Sequence, residues 1–406
     1  MVVLLALLNP ILSNYRIKIF FGSKRKNMTT KALSSSISAV LRKQWIRFKH
    51  SMTGPTTRGY ESHSVGVLFD SSCISYVMLE MIGREVVLNS YKTLVLDKNI
   101  VNHAGKIIDM DKLAYGFIDL SSSFIHNTNR IVTSLPTQSM ITMEYFDFNP
   151  KSQNDLEEEA EFRARKMNQL DDIVFDYSLK NDDSVRNNVF LAVTKKDAVE
   201  ARQYLAELCD LNLKYLDPWP VACINAFSYW INQEMPELEK EVISIFDIGY
   251  SFTNVVLAKT GRLLYTDKIN MGIENLLQEI PEYHELSREK VFSLLHQDID
   301  LSSYADYIDG VRNRLVQEIK RSIRLFDAQS TTEISEQDEV THILLTGLGA
   351  KVFDIKEPLN AATPADMAVS VVNPVESVQS GRESPQFAFD AYELTVAFGL
   401  ALRGFL

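Results

Sequence analysis

Apolar runs separated by short polar bends predict a chain of mixed α/β structure. The clearest apolar run, at 242–246, has the composition of a buried strand, and a second strand-like run follows at 255–258. A glycine turn at 259–262 then leads into a third strand at 263–269. The bend between the first two strands is crowded with small polar residues, namely Asp247, Gly249, Ser251, Thr253 and Asn254.

This bend has the composition of a phosphate site. Gly249 lets the backbone turn sharply and approach a ligand, and the hydroxyl and amide groups around it can donate to phosphate oxygens. Asp247 beside them suits a divalent cation that is bound to the phosphate. A tight hairpin whose polar side chains cap their own backbone explains the same residues, so both interpretations stay open at this point.

The same order of elements occurs earlier in the chain: a strand, a polar bend and two further strands, at 65–69, 70–73, 74–81 and 86–96. Ser72 lies four residues after Leu68, as Ser251 lies four residues after Asp247, and the two copies are 179 residues apart. Such a repeat predicts two similar lobes that face one another. The copies are unequal, because Leu68 stands in the place of the acid and Asp70 in the place of the bend glycine.

The remaining elements follow from periodicity and from helix start signals, and a length of 406 residues predicts two domains. We predict helices at 109–126, 156–170, 195–209, 287–295, 304–326 and 388–402. We predict strands at 130–135, 139–148, 173–179, 189–194, 213–216, 340–346 and 367–372. Asp217 and Pro218 begin a further helix at the end of a strand, where ligand crevices open. Gly347 and Gly349 interrupt the chain directly after a buried-type strand, which exposes backbone to the flat face of a ligand.

The charge of the chain is unevenly distributed. The net charge is -11, yet residues 1–60 contain eleven Lys or Arg and no acid, which leaves 31 basic and 53 acidic residues in the rest. An acidic body argues against a nucleic-acid groove, whereas the basic segment suits phosphate-rich or membrane surfaces. We predict that residues 1–63 are a basic leader outside the folded core, either disordered or upstream of a true start at Met28 or Met52.

Several classes of protein are excluded by composition and motif. The apolar segment at 1–8 is too short to span a membrane, and no GxxxxGK[ST] motif of a P-loop is present. The seven His show no metal-ligand spacing, so we expect no structural zinc. An odd number of cysteines without CxxC spacing predicts reduced thiols and a cytoplasmic location, at Cys73, Cys209 and Cys223.

In order along the chain, these motifs resemble those of the actin-like ATPases, and most closely those of the PilM family of the type IV pilus machinery. The resemblance covers about 65–406 and rests on 247–254, 345–350 and 396–403, with support from 131–136, 190–195 and 264–272. It implies an α/β, actin-like (ribonuclease H-like) duplicated fold. Its lobes would occupy 64–235 and 236–406, and a small α/β subdomain would be inserted at about 130–205.

The resemblance also implies ATP with Mg²⁺ between the lobes. Asp247 would face the metal and phosphate, and Asp217 would lie near the metal's water. The phosphate would be held by Ser71, Ser72, Gly249, Ser251, Thr253 and Asn254. The adenosine would lie against Gly347 and Gly349, with Gly272, Glu274, Lys320 and Arg321 near the ribose and base.

Two departures weaken this expectation. Leu68 removes a ligand of the metal or its water, and Asp70 places a negative charge where phosphate is expected. Repulsion between two unit charges about 4 Å apart costs about 1 to 4 kcal/mol at effective dielectric constants of about 80 to 20. We therefore expect weak or absent ATP hydrolysis and a scaffold more than a catalyst.

The family resemblance implies a partner and a location. PilM-like proteins lie peripherally on the cytoplasmic face of the inner membrane, where they bind the cytoplasmic tail of PilN together with other pilus inner-membrane assembly proteins. The basic leader offers a second route to the membrane, and no nucleic acid is expected. An active actin-fold ATPase is an alternative. An FtsA-like division protein is another, although we expect the chain to lack the closing amphipathic helix of that group, since it stops at 404–406.

Overall fold

The computed structural model describes residues 63–83, 85–135, 141–148, 152–167, 172–180, 188–283, 290, 301–329, 339–378 and 391–405. The predicted leader at 1–63, apart from His63, and the predicted helix at 287–295, apart from Lys290, lie outside these residues. None of the helices in the described ranges has the length and apolar composition needed to cross a membrane.

The helices and strands alternate along the chain as the apolar pattern predicts. The strands are β1 (His63–Phe69), β2 (Cys73–Ile82), β3 (Glu85–Val95), β4 (Arg130–Leu135), β5 (Ile141–Asp147), β6 (Ile173–Lys180), β7 (Asn188–Lys195), β8 (Asn212–Pro218), β9 (Val242–Ile248), β10 (Thr253–Lys259), β11 (Arg262–Ile269), β12 (Val340–Thr346) and β13 (Ala368–Val371). The helices are α1 (Met110–Ser121), α2 (Gln153–Met167), α3 (Lys196–Leu208), α4 (Trp219–Glu234), α5 (Ile273–Glu279), α6 (Ala305–Gln329), α7 (Leu348–Val352), α8 (Lys356–Ala362) and α9 (Thr395–Arg403).

Two five-stranded sheets have the same topology. The first has the order β3-β2-β1-β4-β8 and the second the order β11-β10-β9-β12-β13. In each sheet the first three strands along the chain are antiparallel, and the other two run parallel to the first. The predicted duplicated α/β fold is therefore confirmed, since both halves of the chain form the same sheet.

Two helices lie between the sheets and join them. Helix α4 packs on the second sheet, where Phe227 contacts the cluster that contains Ile245. Helix α9 packs on the first sheet through the cluster of Val77 and Ala397. Helices α1 and α3 cover the outer face of the first sheet, and α5 and α6 cover the outer face of the second. Helices α4 and α9 therefore form the layer between the two sheets.

The crossing of α4 and α9 leaves no room for a side chain at Gly399. A Cβ atom at this position would lie 1.8 Å from the carbonyl oxygen of Ala222. The same helix approaches the first sheet at Gly66, where a Cβ would lie 2.1 Å from the carbonyl oxygen of Ala397. These two glycines therefore set the distance between α9 and its neighbours.

The inserted subdomain is an antiparallel sheet of order β5-β7-β6. Helix α2 covers one face through Leu156 and Ala160, and the other face packs towards Leu216 of the first lobe. Strand β4 pairs with β1 in the first sheet, so the insertion begins after Leu135 and not at about 130 as predicted. Local composition could not show this, because the sheet to which a strand belongs depends on pairing with strands that are distant in sequence.

The closing helix also differs from its prediction. It begins at Thr395 and not at 388, and a short 3₁₀ turn precedes it at Ala391–Leu394. Although it comes from the second half of the chain, it is bonded to the first lobe: Ser64 Oγ donates to the carbonyl of Ala401 at 2.5 Å, and Lys214 Nζ donates to that of Gly404 at 2.8 Å. The two lobes are thus tied together by the last helix.

Candidate functional site

The two polar bends are closed by equivalent strand pairing and equivalent hydrogen bonds. Phe69 pairs with Ile74 across the first bend, and Ile248 pairs with Thr253 across the second. The first is closed by a hydrogen bond from Asp70 N to Cys73 O of 3.1 Å, and the second by one from Gly249 N to Phe252 O of 3.0 Å. These equivalent bonds align the bends residue by residue, so that Leu68 matches Asp247 and Asp70 matches Gly249.

The bends lie close enough to influence each other electrostatically. Burial raises the pKa of Asp247 to about 7; a hydrogen bond from Asn254 opposes this shift, and the negative charge of Asp70 adds to it. Burial also raises the pKa of the Cys73 thiol in the first bend, with further contributions from Asp70, Glu393 and Asp247. Acidic groups of the two bends are therefore close enough for their charges to interact across the space between the bends, which is the cleft of the candidate site.

In the first bend, the Asp70 carboxylate binds its own backbone. Its Oδ1 accepts hydrogen bonds from Ser72 N at 2.6 Å, Ser72 Oγ at 2.6 Å and Cys73 N at 3.0 Å. Ser71 and Ser72 are both buried, and Ser71 Oγ lies 3.4 Å from Nδ1 of His103. Of the two predicted phosphate donors of this bend, Ser72 therefore already contacts a carboxylate, in the arrangement of an Asx turn, whereas Ser71 contacts His103.

Some polar side chains of the second bend are hydrogen-bonded within the fold, and one hydroxyl has no partner among the described residues. Thr253 Oγ1 donates to the carbonyl of Met271 at 2.8 Å, and Asn254 is hydrogen-bonded to Asp247. The buried Oγ of Ser251 has no hydrogen-bond partner in the described part of the chain. A buried hydroxyl that lacks a partner fits an oxygen of a bound phosphate, so the second bend suits the nucleotide that the resemblance implies.

Three predicted glycines pack around the second bend. Gly347 has a φ of 83°, and a Cβ there would lie 2.6 Å from Asp247 Oδ1. A Cβ at Gly349 would lie 2.3 Å from the Ile248 side chain, and one at Gly272 would lie 2.5 Å from the carbonyl oxygen of Tyr250. The structure therefore brings these glycines together with the bend, because any larger residue would push it away.

The predicted ribose and base residues lie on α5 and α6. Glu274 lies in the first turn of α5, and its backbone N–H donates to the carbonyl of Tyr250 in the second bend at 2.8 Å. Lys320 and Arg321 lie on α6, and the exposed Arg321 forms an ion pair with Glu318 of 3.4 Å. The contacts of these residues with a nucleotide stay a prediction.

Asp217 has a different partner from the one expected. Its side chain is 0% exposed and forms an ion pair of 3.5 Å with Arg403, which is 2% exposed and comes from α9. Burial raises the pKa of Asp217, and the Arg403 charge opposes the increase. The carboxylate thus joins the closing helix to the first sheet, and its role near a metal's water stays a prediction.

Three residues that the sequence analysis did not assign to the site make contacts near it. They are His103, Lys268 and Arg202, all of which make contacts between segments distant in sequence. Each is an ordinary polar residue in the sequence. Lys268 and Arg202 donate to backbone carbonyls, and the His103 ring contacts the hydroxyl of Ser71. Such contacts leave no periodicity or spacing from which they could be predicted.

Duplicated sheets, two joining helices and a cleft between paired bends define an actin-like protein. A family model described as type IV pilus assembly protein PilM matches residues 66–405. The chain therefore belongs to the PilM family, as its motifs predicted, and this favours pilus assembly over the FtsA-like alternative.

The chain is similar in fold to a solved PilM structure and more distantly similar to two others. The structure titled PilM-PilN type IV pilus biogenesis complex has a TM-score of 0.70 at 20% identity and covers 86% of this chain and 100% of that chain. Ethanolamine utilization protein EutJ from Carboxydothermus hydrogenoformans has a TM-score of 0.48 at 13% identity, with 90% and 99% covered. A Bacteroides thetaiotaomicron protein with an actin-like ATPase fold and unknown function has a TM-score of 0.40 at 11% identity, with 78% and 93% covered.

Proposed function

We propose that this protein is an assembly scaffold of the type IV pilus that binds the cytoplasmic tail of a PilN-type membrane protein. The observation that carries the proposal is the family match over 66–405, which spans both lobes and the insertion. The similarity of the fold to the chain from a PilM-PilN complex supports it. In this role the protein lies peripherally on the inner membrane through its partner.

The contrast between the two bends supports a scaffold over a catalyst. The second bend has an acid, Asp247, and a glycine, Gly249, and its Ser251 hydroxyl has no hydrogen-bond partner among the described residues. In the first bend Leu68 stands where the acid would be, and Asp70 binds the bend's own donors. A transferred phosphoryl group must be held from both sides, so one lobe alone supports binding better than hydrolysis.

A binding experiment with the full chain tests the proposal. A synthetic peptide of the amino-terminal residues of the host's PilN is titrated into the protein by calorimetry, with and without Mg-ATP. We expect saturable binding under both conditions, and a scrambled peptide of the same composition is the control. Lack of binding under both conditions, or equal binding of the scrambled peptide, would contradict the scaffold function.

An active actin-fold ATPase is the second candidate, favoured by the Ser251 hydroxyl of the second bend, which has no hydrogen-bond partner within the part of the chain that the structure describes. Phosphate release from Mg-ATP, followed over hours, separates the two functions. An ATPase requires a rate above background that Asp247→Asn abolishes. A scaffold predicts release at the background rate for both proteins.

A further inference from the structure

The first bend already contains an anion at its phosphate position. The aligned hydroxyls of the two bends differ in one respect: Ser72 Oγ donates to Asp70 at 2.6 Å, whereas the buried Ser251 Oγ has no partner among the described residues. The backbone N–H groups of Ser72 and Cys73 donate to the same carboxylate oxygen. A carboxylate and a phosphate seek the same donors, so they compete for this bend.

A lysine of the second lobe connects the two bends. Lys268 Nζ donates to the carbonyl of His103 in the first lobe at 2.9 Å and lies 3.6 Å from the ring centroid of Phe252 in the second bend. The ring of His103 in turn lies 3.4 Å from Ser71 Oγ in the first bend. One side chain therefore links the second bend to the segment that contacts the first bend.

The first-lobe segment that receives Lys268 is held in place from within its own lobe. The buried guanidinium of Arg202 donates to the carbonyls of Gly105 at 3.2 Å and Ser134 at 2.9 Å. Asn102 Oδ1 accepts from the backbone N–H groups of Ala104 at 3.0 Å and Lys106 at 2.9 Å. The segment thus presents the His103 carbonyl in a fixed position.

Strand β11 contacts the first lobe at its other end as well. Leu263 N donates to the hydroxyl of Tyr145 in the insertion at 3.3 Å, and the Arg262 guanidinium lies 4.4 Å from the centroid of the Tyr145 ring. Lys268 lies near the end of the same strand. Contacts at both ends of β11 restrict rotation of the second lobe relative to the first.

We propose that Asp70 acts as a built-in anion at the phosphate position of the first bend and that Lys268 fastens the second bend to the first lobe, so that the cleft closes without a nucleotide. This inference rests on the proposed scaffold function and specifies how the cleft serves it. The closed arrangement is then a permanent feature of the protein, and phosphate ligands are excluded from the first bend by a side chain of the chain itself.

Two substitutions at one position test the built-in anion. Asp70→Gly recreates the glycine of the second bend and removes the carboxylate, whereas Asp70→Asn retains a carbonyl oxygen that accepts from the same N–H groups. We expect Mg-ATP to bind Asp70→Gly at least tenfold more tightly than the wild type. Asp70→Asn should gain clearly less than Asp70→Gly, because it loses the charge but keeps an acceptor on the same donors. Calorimetry, together with the ligand-dependent rise in melting temperature, measures this difference.

Three results would overturn the built-in anion. Tight Mg-ATP binding by the wild type is one, equal affinities of Asp70→Gly and the wild type are another, and equal gains in Asp70→Gly and Asp70→Asn are the third. The last result would mean that charge alone, and not occupancy of the donors, decides affinity.

If Mg-ATP binds the wild type tightly while the PilN peptide also binds, the inference fails and the scaffold function stands. If the PilN peptide does not bind while the Mg-ATP affinities are as expected, the scaffold function fails and the built-in anion stands.

Lys268→Met tests the connection between the lobes independently of Asp70. Methionine retains an apolar contact with Phe252 and removes the donor to His103, so we expect amide hydrogens at 99–108 to exchange several-fold faster. Lys92→Met is the matched control, since Lys92 also has one oxygen partner, Asp119 at 2.7 Å, but within the first lobe. Unchanged exchange at 99–108 in Lys268→Met would overturn this part of the inference.

Discussion

The buried ion pair between Asp217 and Arg403 supports a strong prediction about stability. Their nearest atoms are 3.5 Å apart, and both side chains are almost fully removed from solvent. Arg403→Met removes the charge and retains an unbranched apolar side chain in the same space. It leaves a carboxylate without its cation, and removing one partner of a buried pair costs about 3 to 5 kcal/mol in unfolding free energy.

Coulomb's law gives a compatible upper bound. Two unit charges about 3.5 Å apart interact by about 5 kcal/mol at an effective dielectric constant of about 20. Desolvation of both ions opposes this attraction, so the pair stabilises the fold by less than that bound. The cost of the single substitution comes chiefly from the carboxylate left alone.

Urea unfolding of four proteins at pH 7 provides the assay. They are the wild type, Arg403→Met, Asp217→Asn and the double variant. We expect the double variant to be at least about 2 kcal/mol more stable than the sum of the single effects predicts, because the second substitution removes the unpaired charge. Arg321→Met is the control, since Arg321 forms an exposed ion pair with Glu318, which contributes about 1 kcal/mol or less.

The pH dependence gives a second test of the same pair. Burial raises the pKa of Asp217, and losing Arg403 raises it further. A carboxyl whose pKa is raised by folding destabilises the protein as pH rises above its unfolded pKa of about 4. The penalty of Arg403→Met must therefore be larger at pH 7 than at pH 5. Additive single effects, or a penalty that does not vary with pH, would refute the reasoning.

Three further predictions follow from the geometry. Gly399→Ala should cost about 3 kcal/mol or more in the free energy of unfolding by urea, because its Cβ would lie 1.8 Å from the carbonyl oxygen of Ala222. Gly310→Ala is the control: the nearest atom to its Cβ would be 3.8 Å away, so it should stabilise α6 by up to about 1 kcal/mol. Burial raises the pKa of Asp247 to about 7, so wild-type stability should fall relative to Asp247→Asn as pH rises from about 4 to about 7. The fall should be at most about 4 kcal/mol, because the side chain keeps some solvent contact. A stability difference that does not vary with pH would contradict this raised pKa. Arg202→Met should cost about 2 to 4 kcal/mol, since it removes a charged donor from the buried carbonyls of Gly105 and Ser134, and a loss below about 1 kcal/mol in urea unfolding would contradict that role.

The duplication could be predicted from sequence because each copy is local. A strand, a bend and a second strand form one hairpin, and the spacing of Leu68 from Ser72 and of Asp247 from Ser251 is preserved in the two closing hydrogen bonds. Hydrophobic runs also placed most strands within two residues of their observed bounds. Local propensity and tertiary packing therefore agree over the bends.

Contacts between distant segments could not be predicted in the same way. The assignment of β4 to the first sheet depends on its pairing with β1, and the position of Asp217 depends on Arg403, which lies 186 residues later. Lys268 and His103 meet only because the lobes close. The pattern of one sequence indicates which residues form a helix or strand, but not which other helices and strands pack around it in the folded protein.

The comparison of the two bends also distinguishes what maintains the fold of a bend from what a bound ligand requires. The bond from Asp70 N to Cys73 O maintains the first bend as the bond from Gly249 N to Phe252 O maintains the second, and neither requires a phosphate. A bend can therefore keep its conformation after its donors have been taken by a side chain. It follows that an actin-like fold does not by itself predict nucleotide binding. The deciding observation is the acceptor of the bend hydroxyl, which is Asp70 for Ser72 and is missing among the described residues for Ser251.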